Sequence, residues 1–226
     1  AITTNDQFLY GGCGIRMDTP TTYINPEAYD ELQVIKGPQT VLKGPGLVAG
    51  SVEFVRHPRT YDRPSFEAEG AITAGSFNYY DGYADLSAGN PLVSLRTILT
   101  HSRSDDYKDG AGERVRSWYK RRSASVNLAL TPTQDTRIEL FGDATRSQAK
   151  FASLQLDAGK TDRDAFGARA EARDISSLVR KISLDAGRSH QDIIMGRQFR
   201  GRQAGGNPDR ITRNARFSSG LAWADG

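Results

Sequence analysis

The sequence predicts an all-β dominated chain, in which a small turn-rich part precedes the wall of a barrel built from long strands. Three observations carry that prediction. From about Phe66 onward, apolar or small residues recur at every second position. Turn clusters punctuate the run at Gly89-Asn90-Pro91, Thr131-Pro132-Thr133 and Gly205-Gly206-Asn207-Pro208. Several alternating segments reach about ten residues or more, whereas strands of a soluble sandwich average about 5 to 6.

Residues 1 to 62 have a different grammar. Gly11-Gly12, Gly37-Pro38 and Gly44-Pro45-Gly46 separate short apolar pieces such as Leu32 to Ile35, the pattern of a small compact domain. The first long strand follows: Phe66, Ala68, Gly70, Ile72 and Ala74 take the even positions, and Glu67, Glu69 and Thr73 the odd ones. Residues 92–104 alternate less cleanly. Ala124, Val126, Leu128 and Leu130 then oppose Ser123, Ser125 and Asn127, and Ile138 and Leu140 oppose Arg137, Glu139 and Asp143. A last pattern has Leu178, Ile182, Leu184 and Ala186 on the even face, with Arg180 the exception. Segments 101–116 and 147–177 are polar and rich in Asp, Arg, Gly and Ser, and read as long loops between strands joined elsewhere by short turns. Short turns alternating with long loops are the topology of a membrane barrel.

Composition excludes other classes. The 226 residues carry 30 Lys and Arg against 27 Asp and Glu, a net charge of +3 spread along the chain, so no stripe for nucleic acid is expected. The single cysteine forbids an intramolecular disulfide and a zinc site of several thiolates. No apolar run reaches the roughly 18 residues of a transmembrane helix. A low mean hydropathy is compatible with barrel strands, which keep one polar face. No nucleophile and base pairing commends catalysis, so an enzyme is not expected.

The stretch Glu31-Leu32-Gln33-Val34-Ile35-Lys36-Gly37-Pro38-Gln39-Thr40-Val41-Leu42-Lys43-Gly44-Pro45-Gly46, followed by Ala49-Gly50-Ser51-Val52, resembles the plug-domain signature of TonB-dependent outer-membrane receptors. The residues suit it physically. Leu32, Val34 and Ile35 form a strand, Gly37-Pro38 ends it, Val41-Leu42 packs a short helix, and Gly44 to Gly50 permits tight turns. The family commonly has an aromatic residue where Lys43 stands. The resemblance implies the C-terminal part of a plug at 1–62 and the start of a receptor barrel, about its first seven strands, at 63–226. It also implies a fragment, since a 22-stranded barrel at about ten residues per strand needs roughly 220 residues for strands alone. Location in the bacterial outer membrane follows, with coupling to TonB through a segment absent from this chain.

Within the glycine-rich run Gly11-Gly12-Cys13-Gly14-Ile15-Arg16-Met17-Asp18, a thiol and a thioether stand four residues apart. This resembles the CxxxM element of outer-membrane copper receptors. Soft thiolate and thioether donors select Cu(I). The same branch implies an HxM element on a barrel strand; here the stretch His190-Gln191-Asp192-Ile193-Ile194-Met195 keeps the methionine and has Ile193 where the histidine is expected. The implied metal ligands are Cys13, Met17 and Met195, which take up the chain's only cysteine and both of its methionines. His190 has the parity of the apolar residues and should point away from the plug, while Met195 has the parity of Lys181, Ser183, Asp185 and Gln191. A bulge between 186 and 195 would reverse that assignment. Without this context a lone Cys and Met read as ordinary core fillers.

His57 and His101 are read as polar residues of the plug surface or the lumen face. Lys120-Arg121-Arg122 suits a membrane interface or a lumen wall, with lipopolysaccharide phosphates as partners. Trp118, Tyr119, Tyr79, Tyr80 and Tyr83 suit an aromatic girdle. The leading expectation is a transporter that binds and imports copper as Cu(I). The alternative is a receptor of the same architecture for a siderophore or other metal chelate, held by aromatic and Arg side chains; a surface-binding barrel without import comes third.

Overall fold

A computed structural model describes residues 2–3, 26–36, 50–57, 59–152, 157–176, 179–196 and 210–222. The described residues are almost entirely strand. The small part contributes β1 (Ile2–Thr3), one 3-10 turn (Pro26–Ala28), β2 (Glu31–Lys36) and β3 (Gly50–Val55). They form a three-stranded sheet in the order β1-β3-β2, with Val34 opposite Val52.

The large part begins with β4 (Ser65–Gly75), β5 (Tyr79–Gly89) and β6 (Val93–Ser104). A two-stranded ribbon, β7 (Tyr107–Lys108) and β8 (Arg114–Val115), rises from the next connection. The chain continues through β9 (Trp118–Thr133), β10 (Thr136–Lys150), β11 (Asp157–Arg173), β12 (Lys181–Gly196) and β13 (Arg210–Ala222). All but the ribbon join one antiparallel sheet of eight strands, ordered β13-β12-β11-β10-β9-β6-β5-β4. Each strand pairs with the next large strand in sequence, the meander of a barrel wall, and the count is close to the seven or so expected.

The two faces differ in chemistry. On one, large apolar side chains stand open: Phe66 and Ile72 on β4, Leu86 on β5, Leu95 and Leu99 on β6, Val126 and Leu130 on β9, Ile138 and Leu140 on β10, Phe166 on β11, Ile182 and Leu184 on β12. On the other, small and polar side chains are buried, including Asp85, Ser87, Ser94, Arg96, Thr100, Ser125, Thr145, Thr161 and Ser183. That inner face is the one covered by the small part. Its hydroxyls pair across strands, Thr100 with Ser123 at 2.7 Å and Ser102 with Tyr119 at 3.1 Å.

The loop expected over 147–177 is overturned: β10 runs to Lys150 and β11 occupies 157–173. The reason lies in β11's outward face, which is Phe166, Ala168, Ala170 and Ala172 at one end and Asp162 and Asp164 at the other, so small and charged residues blur the alternation. Likewise β6 holds 101–104, and only 105–117 is loop. Its pattern looked irregular because Ile98 is buried on the polar face while Thr97 lies outward. The Thr131-Pro132-Thr133 cluster is the end of β9, not the turn, which is Gln134-Asp135. A register shift there accommodates Pro132, which has no N–H for the ladder. Asn90 behaves as a turn residue, its side-chain oxygen accepting from the Leu92 and Val93 amides at 2.9 and 3.0 Å. The cluster at 205–208 and the short helix and turns expected over 37–49 lie outside the described residues.

Phe141 on β10 lies across Gly167 of β11 and reaches Gly187 of β12. A Cβ at Gly167 would meet the Phe141 ring and approach the Ala186 carbonyl oxygen to 2.5 Å. Gly167→Val should therefore destabilise the sheet by about 1–3 kcal/mol, as over-packing does; thermal denaturation of the purified protein would measure the shift.

Candidate functional site

The described residues converge most densely where the small part meets the inner face of the wall. Arg96 of β6 is buried there, and its position on the polar face is set by strand alternation with Ser94 and Ile98. Its guanidinium donates through Nε to both Asp85 oxygens at 3.0 and 3.1 Å, and through Nη2 to Asp85 Oδ2 at 2.6 Å. The same group donates to Asp30 of the small part, Nη1 to Oδ2 and Nη2 to Oδ1, each at 2.7 Å. One cation thus joins a carboxylate of its own wall to a carboxylate of the part that covers it. Arg59 stands beside both, 3.9 Å from Asp30 and 3.6 Å from Asp85.

A second link runs the other way. Arg56, just beyond β3, donates to the Ala28 carbonyl at 2.7 Å and to Ser125 Oγ of β9 at 2.7 Å, and pairs with Asp143 of β10 at 2.7 Å. Ser125 itself donates to Asp143 at 2.6 Å. The Arg56 guanidinium lies over the Tyr29 ring at 4.4 Å, and Tyr29 packs on Phe54 with centroids 5.2 Å apart. Planar, forked arginines suit such multi-partner sites, because the fork presents N–H groups to several acceptors at once without reorientation. Below the ion pairs, Ser94 donates to the Arg59 carbonyl at 3.0 Å, and Tyr61 is buried against Gly89, where a Cβ would come within 2.5 Å of its ring.

The electrostatics follow from this geometry. Burial alone would raise the Asp30 carboxyl, but hydrogen bonds from Arg96 and the His57 amide, with the charge of Arg59, hold it below its usual value. Burial pushes the Tyr29 hydroxyl up to about 12.

The residues singled out in the sequence fare differently. Cys13 and Met17 lie outside the described residues. Met195 is placed by its backbone, opposite Ala158 of β11 and Arg210 of β13. β12 pairs with β13 without a register shift from Ser183 to Met195, so position 195 keeps the parity of buried Ser183. The irregularity in this region falls on β11, between Ala158 and Lys160. Among the described residues no three His, Cys, Asp or Glu side chains converge as a metal site. His190 is exposed, opposite Asp164 on the outward face. His57 is exposed beside Glu31 at 3.2 Å. His101 is also exposed, but on the outward face of β6, which corrects the lumen-face reading. Of the tyrosines, Tyr80 points outward beneath Arg103, whereas Tyr119 pairs with Ser102 on the inner face. A separate cavity of about 730 Å³ opens beside the ribbon, lined by Phe77, Asp105, Asp106, Lys108, Arg114 and Trp118. The Arg96 and Arg56 links were not legible in the sequence; the only signal was an arginine at an inward position of β6.

No family model matches the chain, and no curated protein matches its sequence. Among solved structures, the copper transporter OprC is 36% identical, covers 93% of this chain and superposes with a TM-score of 0.79. The chain shares its fold with part of a copper transporter. The match spans 34% of OprC, so the chain corresponds to about a third of that transporter's length. A match over 93% of the chain takes in both the wall and the part that covers it.

Arg96→Met would leave Asp30 and Asp85 facing one another with only the more distant Arg59 beside them, and should cost about 3 kcal/mol of stability, readable by thermal unfolding. The Asp30 carboxyl is held low, so its contribution is present above its usual value of 3.8 and is lost as pH falls through the lower folded value. The unfolding midpoint should thus drop in strong acid, and Asp30→Asn should flatten that dependence.

Proposed function

We propose that the chain is part of a TonB-dependent outer-membrane transporter that binds and imports copper, with 1–62 belonging to the plug and 63–226 to the barrel wall. The observation that carries this reading is the likeness to a copper transporter over 93% of the chain. Support for the membrane setting comes from the wall itself, whose exposed face carries open apolar side chains on each wall strand from β4 to β12 while its polar face is covered. No covalent chemistry is assigned.

In this reading Cys13, Met17 and Met195 bind the ion as an all-sulfur set, with Ile193 where an imidazole is expected. Soft donors make Cu(I) the preferred cargo over Cu(II). The parity shared by Ser183 and Met195 supports a position for Met195 on the covered face. Import would follow when TonB draws on the plug. Arg96 and Arg56 then become the contacts that must exchange partners before a path opens, since each ties a plug group to the wall. Outer-membrane lipid and lipopolysaccharide surround the wall, and no nucleic acid takes part.

A receptor for a siderophore or another metal chelate is the second reading, favoured by the cavity with Phe77, Trp118, Lys108 and Arg114 on its lining. Elemental analysis of the complete receptor after Cu(I) loading separates the two. One copper per chain is expected, falling at least about tenfold in occupancy in Cys13→Ala and in Met195→Ala; a copper-free wild type, or unchanged binding in both variants, would leave the chelate reading.

A further inference from the structure

The outward faces of β6 and β9 carry a vertical sequence of paired rows. Leu95 lies opposite Leu128, Thr97 opposite Val126, and Leu99 opposite Ala124; the next two rows are His101 opposite Arg122 and Arg103 opposite Lys120. Three greasy rows therefore give way abruptly to two cationic ones. The cationic rows lie at the end of the wall that carries the connections 76–78, 105–117, 151–156 and 197–209, two of them thirteen residues long, whereas the shorter 90–92, 134–135 and 174–180 close the other end. In an outer-membrane barrel the longer loops are extracellular. The boundary between greasy and cationic rows is thus level with the outer leaflet's headgroups.

Directly opposite side chains on one face have Cβ atoms about 4.5–5.5 Å apart, and like charges so placed repel. The wall tolerates this here on one side only. To the right, Arg146, which is opposite Arg122, turns to Asp164 at 2.7 Å and Asp162 at 3.6 Å, and Lys160 pairs with Asp192 at 2.7 Å. That half of the band is neutralised internally. To the left, Arg103 has Asp105 only at 4.0 Å and lies over the Tyr80 ring at 5.6 Å, while Lys120 and Arg122 are exposed and make no ion pair among the described residues. Farther left, on β4, the wall is apolar again, with Ile72 86% exposed.

We propose that Arg103, Lys120 and Arg122, with His101 beside them, form a binding site for the phosphates of a lipopolysaccharide molecule in the outer leaflet. The site rests on the outer-membrane reading of the wall and is independent of copper. Chemistry and height agree. A phosphorylated glycolipid presents anions at the headgroup level and acyl chains below it, which matches two cationic rows above Leu99, Ala124, Thr97, Val126, Leu95 and Leu128. Phosphate between the rows would relieve the repulsion that the carboxylates on β11 and β12 relieve elsewhere, and Tyr80 supplies an interfacial ring under Arg103.

The test uses the complete receptor, stripped of native lipid in detergent and titrated with diphosphorylated lipid A under native mass spectrometry. Wild type and a control at the opposite end, Arg180→Gln, should each retain one lipid A. The triple variant Arg103→Gln/Lys120→Gln/Arg122→Gln should bind on the order of a hundredfold more weakly, since each cation at a phosphate surface is worth about a factor of five. Lipid A with its phosphates removed should bind wild type no better than the intact lipid binds the triple variant. Copper loading should not change in any of them. Equal binding by the triple variant and wild type, or by both lipids, would overturn the site. If the triple variant does not fold, Lys120→Gln alone should weaken binding about fivefold, and an unchanged affinity there overturns it equally. A receptor absent from the outer-membrane fraction would refute the membrane reading, whereas a correctly located receptor indifferent to phosphate would refute this inference alone.

Discussion

The Arg96 guanidinium, shared between Asp85 and Asp30, is the interaction on which the arrangement of the two sheets depends. A strand that lines a covered face must bury whatever alternation places there, and on β6 it places an arginine. A buried arginine without anions would be untenable; with one carboxylate from the neighbouring strand and one from the covering part, it becomes the point where the two sheets are joined. Arg56 repeats the device with the charges exchanged, the covering part giving the cation and β10 the carboxylate. With Arg59 beside them, the covering part brings two cations and one carboxylate and the wall one cation and two carboxylates, so the charges balance only across the boundary.

That choice of polar rather than apolar contact has a consequence for motion. An apolar interface of the same extent would separate only by exposing greasy surface, whereas ion pairs can trade partners with water or with other charges one at a time. A covering part held in this way is firmly seated at rest, and yet it can be displaced by a directed pull. This fits the proposed role of a plug drawn by TonB, and it accounts for the location of the links along the inner face, away from the loops.

Much of the fold was legible because a period of two is written directly into residue types. Ile182, Ser183 and Leu184 fix the faces of β12 by residue type alone, and Ser183 is indeed buried while its neighbours are open. The reading failed where the outward face stopped being apolar. In β11, Asp162 and Asp164 are outward yet belong to a strand, because Arg146 and Lys160 stand beside them on neighbouring positions. Sequence alone cannot see the cation that register brings from the adjacent strand, so such a segment reads as loop. The resemblance to a copper receptor rested on Cys13, Met17 and Met195, residues whose types are rare enough in this chain to be informative without coordinates.

By itself, then, the sequence determined the all-β class, the alternation of faces, the turn at Asn90 and the sulfur-bearing motif, because each depends on local geometry or on residue chemistry within a few positions. The tertiary structure alone decided which charges are partnered. Arg96 and Asp30 are far apart in the chain, as are Arg56 and Asp143, and Lys120 meets Arg103 only through strand register. Coulomb interactions depend on separation in space, and register sets that separation only after the strands have paired.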